Sequence, residues 1–151
     1  MRDAVQHQLD AATEAQIAEH LQLCDASFVP PLSDRTQIGP YAAKLSTRAV
    51  RFEAWCNDEL IGLVAAYANV EQREMFITNV SVLTSYRGRG IAAELLRRCV
   101  HSAGERDLDR VVLEVAASNS AARRLYHDVG FVDATPSQSD SDAMLRMTLA
   151  I

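Results

Sequence analysis

Between Val80 and Ala92 the chain reads Val-Ser-Val-Leu-Thr-Ser-Tyr-Arg-Gly-Arg-Gly-Ile-Ala. An apolar, strand-like run ends in a polar turn, and Gly88 and Gly90 then open into an amphipathic stretch. Glycine removes the side chains that would hold a ligand away from the main chain. The first turn of a helix leaves N–H groups unpaired and carries partial positive charge, so this turn can cradle a phosphate. Arg87 and Arg89 add formal charge. A second unusual residue is Glu114, a carboxylate inside the apolar run Val111-Val112-Leu113-Glu114-Val115-Ala116. Such a group is costly in a strand unless it is paired or reaches water. The turn therefore predicts a phosphorylated ligand, and the strand carries a group able to accept a proton.

These residues need a scaffold. Thr13-Glu14-Ala15-Gln16 forms a capping-box pattern, and Ile17, Leu21 and Cys24 follow at helical spacing, which predicts a helix over 14–25. Pro30-Pro31 breaks it, and Gly39-Pro40 starts a second short helix with Tyr41 and Leu45 inward. Weak alternation over 5–9 predicts a first strand. Arg51–Cys56 alternates polar and apolar residues, as a half-buried strand does. A tight turn at Asn57-Asp58-Glu59 returns the chain through Leu60–Tyr67, and Met75–Leu83 completes an antiparallel meander. Ala92, Leu95, Leu96, Cys99, Val100 and Ala103 stripe a helix over 90–103, closed by Gly104. Val111–Ala116 is then a buried strand reached by a right-handed crossover. A helix over 121–128 ends at Gly130; a short strand at 131–134, a polar loop over 135–142 and a last strand over 144–149 complete the chain.

The 151 residues predict one domain, 1–151, with 48% hydrophobic and 23% charged residues. Fifteen Lys plus Arg against 20 Asp plus Glu give a net charge of -5, which argues against nucleic acid as the partner. No run is apolar enough to span a membrane and no signal-peptide pattern opens the chain, so a cytoplasmic location and no membrane partner are expected. Cys24, Cys56 and Cys99 are scattered, no C-x-x-C or H-E-x-x-H occurs, and no metal site is expected. Gly88-x-Gly90-x-x-Ala93 satisfies a dinucleotide fingerprint, but Thr84–Arg87 separates it from its strand and the preceding strands form a meander.

A better match comes from two blocks together. Arg87-x-x-Gly90-x-Ala92 after a strand resembles the (Gln/Arg)-x-x-Gly-x-(Gly/Ala) motif of the GCN5-related N-acetyltransferase superfamily. The stretch Leu113–Phe131, with Asn119, Leu125-Tyr126 and Gly130-Phe131 at family spacing, resembles its second block, in particular that of the bacterial ribosomal-protein N-terminal acetyltransferases. The resemblance implies an α/β (α+β) fold: a mixed, largely antiparallel sheet of six to seven strands flanked by about four helices, with a splayed parallel strand pair holding acyl-CoA.

It also implies roles. The main chain of Val80, Ser81 and Val82 would bind the pantetheine arm of acetyl-CoA as an added strand does, and one of these N–H groups would face the thioester oxygen. Arg87, Gly88, Arg89, Gly90, Ile91 and Ala92 would hold the pyrophosphate, and Asn119 and Ala122 would meet the arm, Asn119 also capping its helix. Tyr126, beside the sulfur, would be the general acid. Glu114 would be the general base, its pKa raised by burial, or else a structural carboxylate; Glu53, Glu74 and water are alternatives. The acceptor is a primary amine of a small metabolite, an amino sugar or a peptide N-terminus. Its site is expected from the stretches 28–41, 69–73 and 133–142, the last bearing Asp133, Asp140 and Asp142, which either attract a cationic amine or form a solvated loop. A homodimer is one arrangement the resemblance allows, and a non-catalytic acyl-CoA sensor is the alternative function.

Overall fold

A thread of seven strands, β1 (Gln6–Leu9), β2 (Val50–Cys56), β3 (Glu59–Asn69), β4 (Glu74–Val82), β5 (Arg110–Ala116), β6 (Val132–Asp133) and β7 (Met144–Ala150), forms one sheet in the order β1-β2-β3-β4-β5-β7-β6. Four α-helices flank it: α1 (Glu14–Cys24), α2 (Ile38–Arg48), α3 (Ile91–Glu105) and α4 (Ser120–Val129). The computed structural model describes residues 4–134 and 144–151. The loop expected over 135–142, with Asp140 and Asp142, lies outside the described residues.

Among the described strands only β4 and β5 run parallel, so the α/β fold expected from the sequence is the one observed. One core packs α3 and α4 on the sheet through Leu95, Leu96, Cys99, Met75, Ile77 and Leu113. A second lies under α1 and α2, around Ile17, Leu21, Leu45 and Leu63. Gly62 marks the closest approach of sheet and helix: a Cβ there would sit 2.9 Å from Ile91 Cγ2.

Local chemistry explains most boundaries. Thr13 and Gln16 form the expected capping box. Asn57 and Asp58 both take left-handed φ, 50° and 63°, as a two-residue type I′ hairpin requires, so Glu59 already belongs to β3. Two expectations fail. Gly104 does not end α3; the helix runs to Glu105, and Asp107, at φ 59°, takes the left-handed position while Leu108 N–H reaches back to Ala103 O at 3.0 Å. The strand expected over 131–134 is only Val132–Asp133, because Phe131 is pinned by its N–H to Tyr126 O at 3.0 Å.

β2 is not half-buried. Arg51, Phe52, Glu53 and Ala54 are all buried, and Glu53 is 0% exposed. Its carboxylate accepts from the N–H groups of Ala11 and Ala12, from Trp55 Nε1 and from Arg51. Arg51 in turn donates to the carbonyls of Leu45, Ser46 and Ala12. This pair ties the entry to α1, the end of α2 and β2 into one buried knot.

Candidate active site

β4 and β5 pair from Glu74↔Arg110 to Ile77↔Leu113 and then part. β4 continues along β3 to Val82, and β5 continues along β7 to Ala116. The cause lies at Thr78. The β3 register steps from Ala65↔Asn79 to Ala66↔Ile77, leaving Thr78 as the extra residue of a bulge, and bulges bend and twist the strand that carries them. Tyr41 on α2 holds the bulge, its hydroxyl 3.1 Å from Thr78 O and 2.8 Å from Thr78 Oγ1. The parting strands open a cavity of about 520 Å³.

Main-chain direction decides what the wedge offers. Leu83 N–H donates to Ile61 O at 2.9 Å. Successive residues of a strand face opposite neighbours, so Ser81 also turns its N–H to β3, while Val80 and Val82 turn theirs into the wedge. Arg87 Nε reaches Val82 O at 3.4 Å from this open side. This corrects the expectation for Ser81, whose main chain belongs to the β3 ladder; Val80 and Val82 present the free edge. The Ser81 hydroxyl instead lies 2.8 Å from His20 Nε2 and 2.8 Å from Asn79 Oδ1.

At the wide end, Gly88 and Gly90 take φ of 77° and 76°, with open space where a Cβ would be. The conformation, not crowding, demands glycine there. Gly90 caps α3 with no side-chain bond, unlike Thr13 on α1 and Asn119 on α4. The first N–H groups of a 15-residue helix are thus left for an anion beside Arg87. Arg89 does not line the cavity; its guanidinium stacks on Tyr86, 5.0 Å from the ring centroid.

Asn119 Oδ1 accepts from Ala122 N–H at 3.2 Å. Asn119 is therefore a helix cap whose amide NH2 remains for a ligand, and Ala122 can offer the cavity only its methyl group, since its N–H is taken. Tyr126 lines the cavity at 8% exposure, edge-on to Phe131 with centroids 6.1 Å apart. Burial pushes its phenol up to about 12. No described residue hydrogen-bonds its hydroxyl.

Of the carboxylates considered as base, Glu114 alone lines the cavity. Glu53 is locked under α1. Glu74 sits at the paired end of β4, its Oε1 2.9 Å from Arg146 Nη2 and 3.5 Å from Arg110 Nε. The burial expected of Glu114 is not found: its side chain is exposed at the mouth, because β5 shows this face where α1 and α2 no longer cover the sheet. Cys24 is no nucleophile. Burial pushes its thiol up to about 11.

Phe28, Val29 and Arg35 line the acceptor side of the cavity and fall within the stretch 28–41 expected to build it, whereas sequence reasoning missed Thr78, Asn79 and Met144, which line it too. The polar pair Thr78-Asn79 inside an apolar strand was the available signal for the bulge. It also missed His20, 1% exposed beneath β4, whose Nδ1–H donates to Leu60 O at 2.9 Å. Burial lowers its pKa to about 4. The unfolded chain takes up a proton near 6.5, its usual value, while the folded chain does not. Stability is therefore flat above that pH and falls below it, by about 2 kcal/mol at pH 5. Urea unfolding from pH 7 to 5 should show this slope, and His20→Gln should flatten it; parallel curves for the two proteins would refute the assignment.

A splayed parallel pair, a free strand edge and an uncapped glycine turn together have the chemistry to hold an extended amide-bearing ligand ending in phosphate. Residues 14–131 match the Acetyltransferase (GNAT) family, and the chain belongs to that family. It is 31% identical over 84 residues to N-alpha-acetyltransferase 30 of Xenopus laevis, covering 54% of this chain and 31% of that protein. The chain thus spans under a third of that relative. It is 27% identical over 123 residues to the [ribosomal protein bS18]-alanine N-acetyltransferase of Escherichia coli, 82% of this chain and 78% of the relative. The solved structure of a putative acetyltransferase from Salmonella typhimurium with its cofactor acetyl-CoA superposes with a TM-score of 0.76 at 17% identity, covering 97% of this chain and 94% of that one. Among the described residues no helix is long and apolar enough to cross a membrane, and no group of side chains could hold a metal ion.

Proposed function

We propose that this protein transfers an acetyl group from acetyl-CoA to a primary amine by direct attack in a ternary complex. The observation that carries this reading is the wedge, where Val80 and Val82, their N–H groups turned away from β3, line one cavity with the uncapped start of α3 and Tyr126. The pantetheine amides extend the β4 edge. The pyrophosphate rests on the N–H groups at Gly90–Ala92, with Arg87 beside it. The thioester carbonyl then lies against an N–H of Val80 or Val82, which stabilises the oxyanion as attack proceeds.

The amine enters past Phe28 and Glu114. Glu114, directly or through water, takes its proton; the nitrogen forms a bond to the acetyl carbon, and the C–S bond of the tetrahedral intermediate breaks. The departing thiolate accepts a hydrogen bond from Tyr126. A buried phenol near 12 holds its proton more tightly than a thiol of roughly 8.5, so stabilisation by that hydrogen bond precedes any complete transfer. The names of the relatives include N-alpha-acetyltransferases, a ribosomal-protein-alanine N-acetyltransferase and N-acetylaspartate synthetases, so they leave both a protein amino group and a small amine as acceptor. Peptide N-termini and small amines share the same attacking atom.

Acetyl-CoA offered with a panel of amines, following thiol release, tests the reading; tight CoA binding with no release from any amine would favour a sensor. Within active protein, Glu114→Gln is expected to lower kcat/KM by about tenfold at pH 7. That loss is below the usual hundredfold for a proton acceptor because exposed Glu114 has water to substitute for it. An unchanged kcat/KM would assign the proton to water.

A further inference from the structure

The acceptor side of the cavity carries two opposite charges, Arg35 and Glu114, that nothing described neutralises. Arg35 follows the 3₁₀ turn Leu32–Asp34, its N–H fixed to Leu32 O at 3.0 Å. Its exposed side chain lines the cavity with Phe28 and Val29. Thr78 and Asn79, at the point where β4 and β5 part, line the same cavity. Five arginines are engaged in ion pairs, Arg51 with Glu53, Arg73 with Asp109, Arg98 with Glu94, and Arg110 and Arg146 with Glu74, and Arg87, the other arginine of the cavity, reaches Val82 O. Arg35 and Glu114 enter no ion pair among the described residues, with each other or with anything else.

Resting on the acetyltransferase reading, we propose that the acceptor carries a carboxylate within a few bonds of its reacting amine, and that Arg35 binds it. A guanidinium presents paired donors to the two oxygens of a carboxylate. The ammonium of the same molecule faces Glu114 on β5, and the aliphatic part between them lies on Phe28, Val29 and Met144. A plain cationic amine meets repulsion at Arg35 that an amino acid does not. The carboxylate has two possible sources, the α-carboxylate of a free amino acid or the acidic side chain of a peptide's first residue. Both present the same group to the same guanidinium.

The test measures kcat/KM for aspartate and glutamate, for their α-amides and side-chain amides, and for tetrapeptides beginning with Asp or Asn. The expected result is a preference of tenfold or more for at least one acid over its matched amide. Loss with the α-amide identifies the free amino acid; loss with the side-chain amide or the Asn peptide identifies the acidic residue. Arg35→Gln should collapse that ratio toward one through KM, and Arg35→Lys should restore part of it, with acetyl-CoA affinity by calorimetry showing that the pocket is intact. Acids and amides used equally well, or an unchanged ratio in Arg35→Gln, overturn the proposal while leaving the acetyltransferase reading in place. No thiol release from any acceptor overturns both.

Discussion

Tyr126→Phe is expected to lower turnover about a hundredfold, the lower end of the usual contribution of a positioned proton donor, while acetyl-CoA affinity stays within about twofold. Only the hydroxyl is removed. The ring remains against Phe131, so α4 and its Asn119 cap should hold. The sign of the pH dependence separates Tyr126 from other groups. Because burial raises the phenol to about 12, it keeps its proton throughout the range in which rates are measured. Wild type and Tyr126→Phe should therefore share the same limbs below pH 10 and differ by a constant factor. A basic limb that disappears in the variant, or single-turnover rates that match wild type, would remove Tyr126 from the chemistry.

The phosphate turn was legible because its chemistry is local. Glycine at Gly88 and Gly90 announces positive φ, and a strand–turn–helix order follows from periodicity. Strand order, the crossover and the capping box were readable for the same reason. The bulge at Thr78 was not, since its cause is the register of β4 against β3 and a hydroxyl arriving from Tyr41, 37 residues earlier in the chain. Which of Val80, Ser81 and Val82 faces the wedge also depends on that register. A count from Leu83, once its bond to Ile61 is known, gives the answer. Glu114 was found by its oddity within an apolar strand, but the inference of burial assumed that both faces of β5 are covered. Helices α1 and α2 stop short of it, and the exposed face becomes the acceptor's entrance. On the acceptor side the stretch 28–41 was expected and supplies Phe28 and Arg35, whereas Thr78, Asn79 and Met144 were hidden because they join it only in the folded chain.

Glu53→Ala is expected to destabilise the protein by about 3–5 kcal/mol, the range for breaking a buried ion pair from one side. Two costs combine. Arg51, 5% exposed, keeps its charge and its carbonyl partners but loses its counter-ion, and the N–H groups of Ala11 and Ala12 lose the acceptor that orders the entry to α1. Domains of this size have only about 5–15 kcal/mol in total, so the variant should unfold at much lower urea. The alternation of Arg51, Glu53 and Trp55 suggested a solvated face, and a solvated pair would contribute about 0–1 kcal/mol. The unfolding midpoint thus decides between the two environments. Replacing both charges, as in Arg51→Met with Glu53→Leu, should recover much of the loss, because desolvation opposes the pair in the folded state. The double variant should still bind acetyl-CoA, since neither residue lines the cavity. A single-variant loss under 1 kcal/mol would mean that water reaches the knot and that α1 is held by its apolar face alone.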